Sequence, residues 1–98
     1  MISKQLMNGI GCLYYMGKHL SQDKEKAYRY FMKSSEQGFN KAFYNLSLMY
    51  FDEEGLRRDL SEAIRLMTIS AEKDFDDALF ALGDMYLRGD VVEHNIDL

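Results

Sequence analysis

The sequence predicts an all-α chain, a short right-handed solenoid of antiparallel helix pairs with five helices. Three observations carry this. The chain echoes itself at a spacing of 36 residues without a gap: Ile10-Gly11-x-x-Tyr14 lies over Leu46-Ser47-x-x-Tyr50, and both lie over Leu82-Gly83-x-x-Tyr86. Within each copy, apolar residues recur at the i, i+3/i+4 spacing of amphipathic helices. No proline interrupts any of them. A fixed period of this size marks stacked units that bury their apolar faces only against neighbours.

The register holds along the whole chain. Asp23 meets Asp59 and Asn95, Leu20 meets Leu56 and Val92, Ala27 meets Ala63, Ser34 meets Ser70, and Ala42 meets Ala78. We therefore expect one domain over residues 1–98, with units at about 5–40 and 41–76 and a partial unit at 77–98.

The first helix is predicted over about 3–16, with Leu6, Ile10, Leu13 and Tyr14 on its inner face and Gly17 as its stop. The second runs from about 23 to 37, turns Ala27, Tyr30, Phe31 and Ser34 inward, and ends at Gly38. The third covers about 40–52, with Ala42, Leu46, Met49 and Tyr50 inward, and the loop Glu53-Glu54-Gly55 follows. The fourth covers about 60–73. Asp59 is its predicted cap, Glu62 completes a capping-box pair, and Ala63, Leu66, Met67, Ser70 and Ala71 form its buried stripe. The fifth covers about 77–88, capped by Asp76 and stopped by Gly89. Leu98 falls where its partner helix would be starting. The expectation is that the tail Val91, Val92, Ile96 and Leu98 folds back over Leu82, Met85 and Tyr86, that a partner covers that face, or that a homodimer forms through this uncapped C-terminal helix.

The pattern Ala-x-x-x-Leu-Gly-x-x-Tyr with a following Gly stands here as Ala78, Leu82, Gly83, Tyr86 and Gly89. Its continuation stands as Asp23, Ala27, Tyr30, Phe31, Ser34, Ser35 and Gly38. Together they resemble the Sel-1-like repeat, a 36-residue cousin of the tetratricopeptide repeat. Ser47, Glu53 and Asp74 depart from it by standing in place of glycines. Asp is among the non-glycine residues that best tolerate left-handed backbone. Small residues at Gly11, Gly83, Ala42, Ala78, Ala63 and Ala71 are expected to let helices approach, and Tyr14, Tyr50 and Tyr86 to fill the space within each pair.

The resemblance implies a protein-binding activity and a concave face lined by the first helix of each unit. Carried into this register, the partner-binding residues are Tyr15, Met16, Tyr44, Leu48, Phe51, Asp52, Asp77, Phe80, Asp84, Leu87 and Arg88. Aromatic anchors among charges have the composition of a binding hot spot. Tyr44 and Phe80 can equally serve as packing against the preceding helix, whereas Tyr15 and Phe51, late on their helices, are expected to be exposed.

Charge narrows the partner. Residues 1–49 carry a net +4 and residues 50–98 a net −8, within a total of −4. An acidic half disfavours direct nucleic-acid binding, which needs a basic surface, and favours encounter with a basic protein. The sharpest expectation is an immunity or inhibitor protein that neutralises a basic toxin such as a nuclease. It rests on the acidic half, the short chain and the lack of a second domain to scaffold. The alternative is a general adaptor or scaffold.

Chemistry finds no support. His19 and His94 lack metal-ligand spacing, Cys12 has no basic sequence neighbour to make it a thiolate, and Gly9-x-Gly11 follows no strand. Arg57-Arg58 reads as a surface pair. A single Cys excludes an intramolecular disulfide framework. The expectation is a non-enzyme without metal or cofactor, away from membranes and cytoplasmic, because no apolar run reaches the ~18–20 residues of a span and the first residues lack a signal-peptide core.

Overall fold

The computed structural model describes residues 2–52 and 57–89. Within them lie five helices: α1 (Lys4–Met16), α2 (Lys24–Glu36), α3 (Asn40–Phe51), α4 (Leu60–Glu72) and α5 (Asp76–Arg88). Helix α1 packs on α2 and α3 on α4 most extensively, while α2 on α3 and α4 on α5 join one pair to the next. The architecture is an all-α solenoid.

The helix boundaries follow from local chemistry. Ser3, Asp23 and Asp59 each accept a backbone N–H bond three residues on, from Leu6, Lys26 and Glu62, satisfying donors that the first turn leaves unpaired. Helices α3 and α5 have no side-chain cap; Phe39 and Phe75 stand at those positions. Asp76, expected to cap α5, is instead its first residue, where its charge faces the positive end of the helix dipole. Nor does Glu62 complete a capping box. Its carboxylate is engaged by Arg65 at 2.7 and 2.8 Å.

The 36-residue echo is a repeat of hydrogen bonds as well as of side chains. Ser34 Oγ donates to the carbonyl of Lys4, and Ser70 Oγ to that of Asn40, each at 2.7 Å and each fully buried. Asp23 N–H donates to Tyr14 and Asp59 N–H to Tyr50, each at 2.9 Å. Each hairpin is thus tied at both ends by the same bonds, which satisfy buried polar groups that would otherwise be costly. The turn after each second helix also repeats. Gly38 has φ 81° and Asp74 φ 67°, so Asp74 adopts the left-handed backbone expected of the glycine it replaces.

Ala27, Phe31, Leu46, Met49 and Leu66 form the central cluster, flanked by Tyr14, Tyr28 and Tyr50. Leu6, expected inside, is 57% exposed; Met7 and Asn8 are the buried residues of that turn. The two helical glycines of the motif differ. A Cβ on Gly11 would lie 2.6 Å from the Phe31 ring, so the close approach there is real, whereas one on Gly83 would meet nothing within 4 Å among the described residues.

Arg57 is not a bare surface residue. Its guanidinium holds Glu25 through two hydrogen bonds of 2.7 and 3.2 Å and lies 3.8 Å over the Tyr28 ring. Tyr28 in turn meets Tyr50 hydroxyl to hydroxyl at 3.1 Å. This chain of contacts clamps the first unit to the second. Burial, helped by the Tyr28 hydroxyl, pushes the Tyr50 phenol up to about 12.

Candidate functional site

Helices α1 and α3 stand side by side with α2 behind them, and the space between forms an apolar groove of about 280 Å³. Cys12, Tyr15 and Met16 line it from α1, and Asn45 and Leu48 from α3. Phe31 closes the floor and is 2% exposed. The rim is open, with Met16 at 61% and Leu48 at 39% exposure. A buried aromatic floor below exposed flexible side chains can accept an apolar side chain from another protein.

The polar groups of the groove are internally occupied. Asn45 Nδ2 donates to Asn8 Oδ1 at 2.9 Å and to Cys12 Sγ at 3.7 Å. Burial raises the Cys12 thiol above its ordinary value, with the Asn45 bond opposing, so Cys12 stays a neutral lining group. At one end Lys24 bonds Asp52 at 3.2 Å while lying 5.6 Å over the Tyr15 ring. Gln22 Nε2 donates to the Tyr15 carbonyl at 2.7 Å.

Of the residues the sequence singles out, Tyr15, Met16 and Leu48 line this groove, and Lys24 links Asp52 to it. Tyr15 and Phe51 are half-buried, not exposed; Tyr15 packs against the central cluster, and the Phe51 carbonyl, on the last turn of α3, accepts a bond from Arg58 at 2.8 Å. Tyr44 is a packing residue, edge-to-face with Phe75 at 5.2 Å. The α5 set does not line the groove. Phe80 and Leu87 are 73% and 87% exposed, Asp77 is exposed, and Asp84 pairs with Arg88 at 3.0 Å. Asn45 and Phe31 were missed as lining residues. Phe31 carries only a core signal in the sequence, and Asn45 has no counterpart in the apolar pattern. The tail Val91, Val92, Ile96 and Leu98, together with His94, lies outside the described residues. Among the described residues no helix is long and apolar enough to cross a membrane.

A family comparison matches the Sel1 repeat over residues 5–39, 41–75 and 76–98. The chain belongs to the Sel1 repeat family, whose members are generally protein–protein interaction modules and typically non-catalytic. No curated protein matches it. Among solved structures it is similar to a Sel1 repeat protein from Oxalobacter formigenes, at 31% identity and a TM-score of 0.81, over 89% of this chain and 35% of that one. It is similar also to a protective antigen of uropathogenic Escherichia coli displaying an SLR fold, at 27% identity and a TM-score of 0.79, over 88% of this chain and 18% of that one. The chain thus spans about a third or less of the length of these relatives.

Proposed function

We propose that this chain is a non-catalytic module that holds a protein partner in the groove between α1 and α3. The observation that carries this reading is the open apolar groove itself, with a buried Phe31 floor and an exposed Met16 and Leu48 rim. Apolar anchors that enter such a pocket contribute more to affinity than the surrounding rim contacts. Tyr15 lines the anchor site, and Lys24 ties Asp52 to its end. The exposed strip on α5 (Asp77, Phe80, Asp84, Leu87 and Arg88) gives a second line of contact.

The test is a pull-down of the tagged protein from its host, compared with Leu48→Glu and Leu87→Glu. A stoichiometric partner that is lost with Leu48→Glu supports the groove. Retention of that partner by Leu48→Glu sinks it, and recovery of copies of this chain alone makes the module self-associating.

A second reading, the immunity protein that neutralises a basic toxin, draws on the acidic second half. Asp76 and Asp77 are exposed and form no ion pair among the described residues. Against it, Asp52 and Asp84 are each matched by an internal cation. Electrostatic steering acts on association rate and is screened by salt. If this reading holds, Asp77→Lys with Asp84→Lys slows association with a basic partner; an unchanged rate excludes the acidic face as the docking surface.

A further inference from the structure

The first repeat carries a second surface that the groove does not use. On α2, Lys26, Arg29 and Lys33 stand at i, i+3 and i+7, on one helix face, and all three are exposed. With Tyr14 and Tyr30 they line a cleft of about 210 Å³. The two rings are stacked, with centroids 6.0 Å apart and planes 13° from parallel. Lys26 Nζ lies 5.3 Å from the Tyr14 ring centre and Lys33 Nζ 5.8 Å from that of Tyr30. Each ammonium is thereby held in place against a ring face.

The second repeat provides an internal control. Shifted by 36, Lys26, Arg29 and Lys33 fall on Glu62, Arg65 and Ile69, and Tyr14 falls on Tyr50. There Glu62 neutralises Arg65 through two hydrogen bonds, and Tyr50 is closed off by Tyr28. The three positions sum to zero charge in the second unit and +3 in the first. Glu25, one turn before Arg29, is taken up by both hydrogen bonds from Arg57. None of the three cations forms an ion pair among the described residues. Like charges at these spacings repel along a helix, so the two ring contacts and the place of Lys33 in the last turn of α2 are set against a repulsion that a bound anion would relieve.

We propose that this cleft binds a carboxylate-rich peptide segment of a protein partner. The cations form a line of roughly 10 Å along the helix axis and do not converge on one point, which suits a row of carboxylates better than a single phosphate. The tyrosine rings between them offer apolar contact to glutamate methylenes. This site is independent of the α1–α3 groove and takes the opposite charge from the basic partner considered above.

The test is fluorescence anisotropy with a labelled hexaglutamate peptide at low and raised salt. The key variant combines Lys26→Glu and Lys33→Ile, which copies the second repeat into the first. Arg29→Gln is the milder variant, Lys41→Glu a distant control, and circular dichroism reports folding. The expected result is saturable binding that weakens with salt, falls at least tenfold in the double variant and severalfold in Arg29→Gln, and changes less than twofold in Lys41→Glu. The proposal is overturned by no saturable binding at low salt, by equal binding to the folded variants, or by equal loss in Lys41→Glu. It is overturned also by an oligothymidylate that binds the cleft more tightly than the peptide, or by low-salt self-association that the double variant abolishes, since the cleft would then take nucleic acid or a second copy.

Discussion

The contact between Gly11 and Phe31 sets how closely α1 approaches α2, and it can be tested by a double-mutant cycle. A Cβ at Gly11 would lie 2.6 Å from Phe31 Cε1 and 2.7 Å from Cδ1, well inside van der Waals contact. The ring is 2% exposed and packed among Ala27, Leu46, Met49 and Leu66, so it can yield only towards the groove that it floors, at the expense of these contacts. Overpacking of this kind costs about 1–3 kcal/mol. Replacing a mid-helix glycine by alanine returns about 1 kcal/mol. Gly11→Ala alone should therefore lower stability by about 0–2 kcal/mol. In a Phe31→Leu background the ring edge is gone, and the same change should become neutral or raise stability by up to about 1 kcal/mol. Phe31→Leu is chosen because full truncation to alanine costs about 3–5 kcal/mol, a large part of the about 5–15 kcal/mol of a whole domain. The assay is urea unfolding of the four proteins, followed by circular dichroism. The expected coupling is about 1–3 kcal/mol. If Gly11→Ala has the same effect in both backgrounds, within about 0.5 kcal/mol, the steric account is wrong.

The remaining predictions concern single sites. Gly83→Ala meets open space among the described residues and should stabilise by about 0.5–1 kcal/mol; a lower melting temperature would show that Gly83 packs. Asp74→Gly relieves a non-glycine residue at φ 67° and should raise stability by about 0.5–1 kcal/mol in urea unfolding, and a loss would mean that the Asp74 side chain holds the turn. The Tyr50 phenol titrates near 12 when folded and near 10 when unfolded. Between these values the unfolded chain has released a proton that the folded chain keeps, so stability is full below about pH 10 and declines as pH rises towards 12. Unfolding midpoints measured across that window should fall less steeply in Tyr50→Phe than in the parent, and identical slopes would refute the role of this phenol.

Much of the solenoid is legible in the sequence because its information is local and repeated. Ser34 and Ser70, or Gly38 and Asp74, can be aligned by eye, and each pair plays one role twice. Even the substitution of aspartate for glycine at position 74 is readable, since the backbone demand is set by the turn. The candidate site is less legible. The register places Tyr15, Met16 and Leu48 on one face, but it cannot tell that Tyr44 turns to Phe75. Nor can it tell that Phe31, from the second helix, floors the groove.

What the sequence by itself determined is the number of helices, their pairing and most of the residues at their inner faces, Leu6 excepted, because helical periodicity acts within a few residues. What only the tertiary structure decided is which charges and rings meet across units. Arg57 has no repeat signature, yet it reaches back to Glu25 and Tyr28; Asp52 is met by Lys24, and Gly11 is filled by Phe31 where Gly83 is left open. These contacts depend on the distance and angle between stacked helices, which are set by the summed packing of many side chains and are written at no single position.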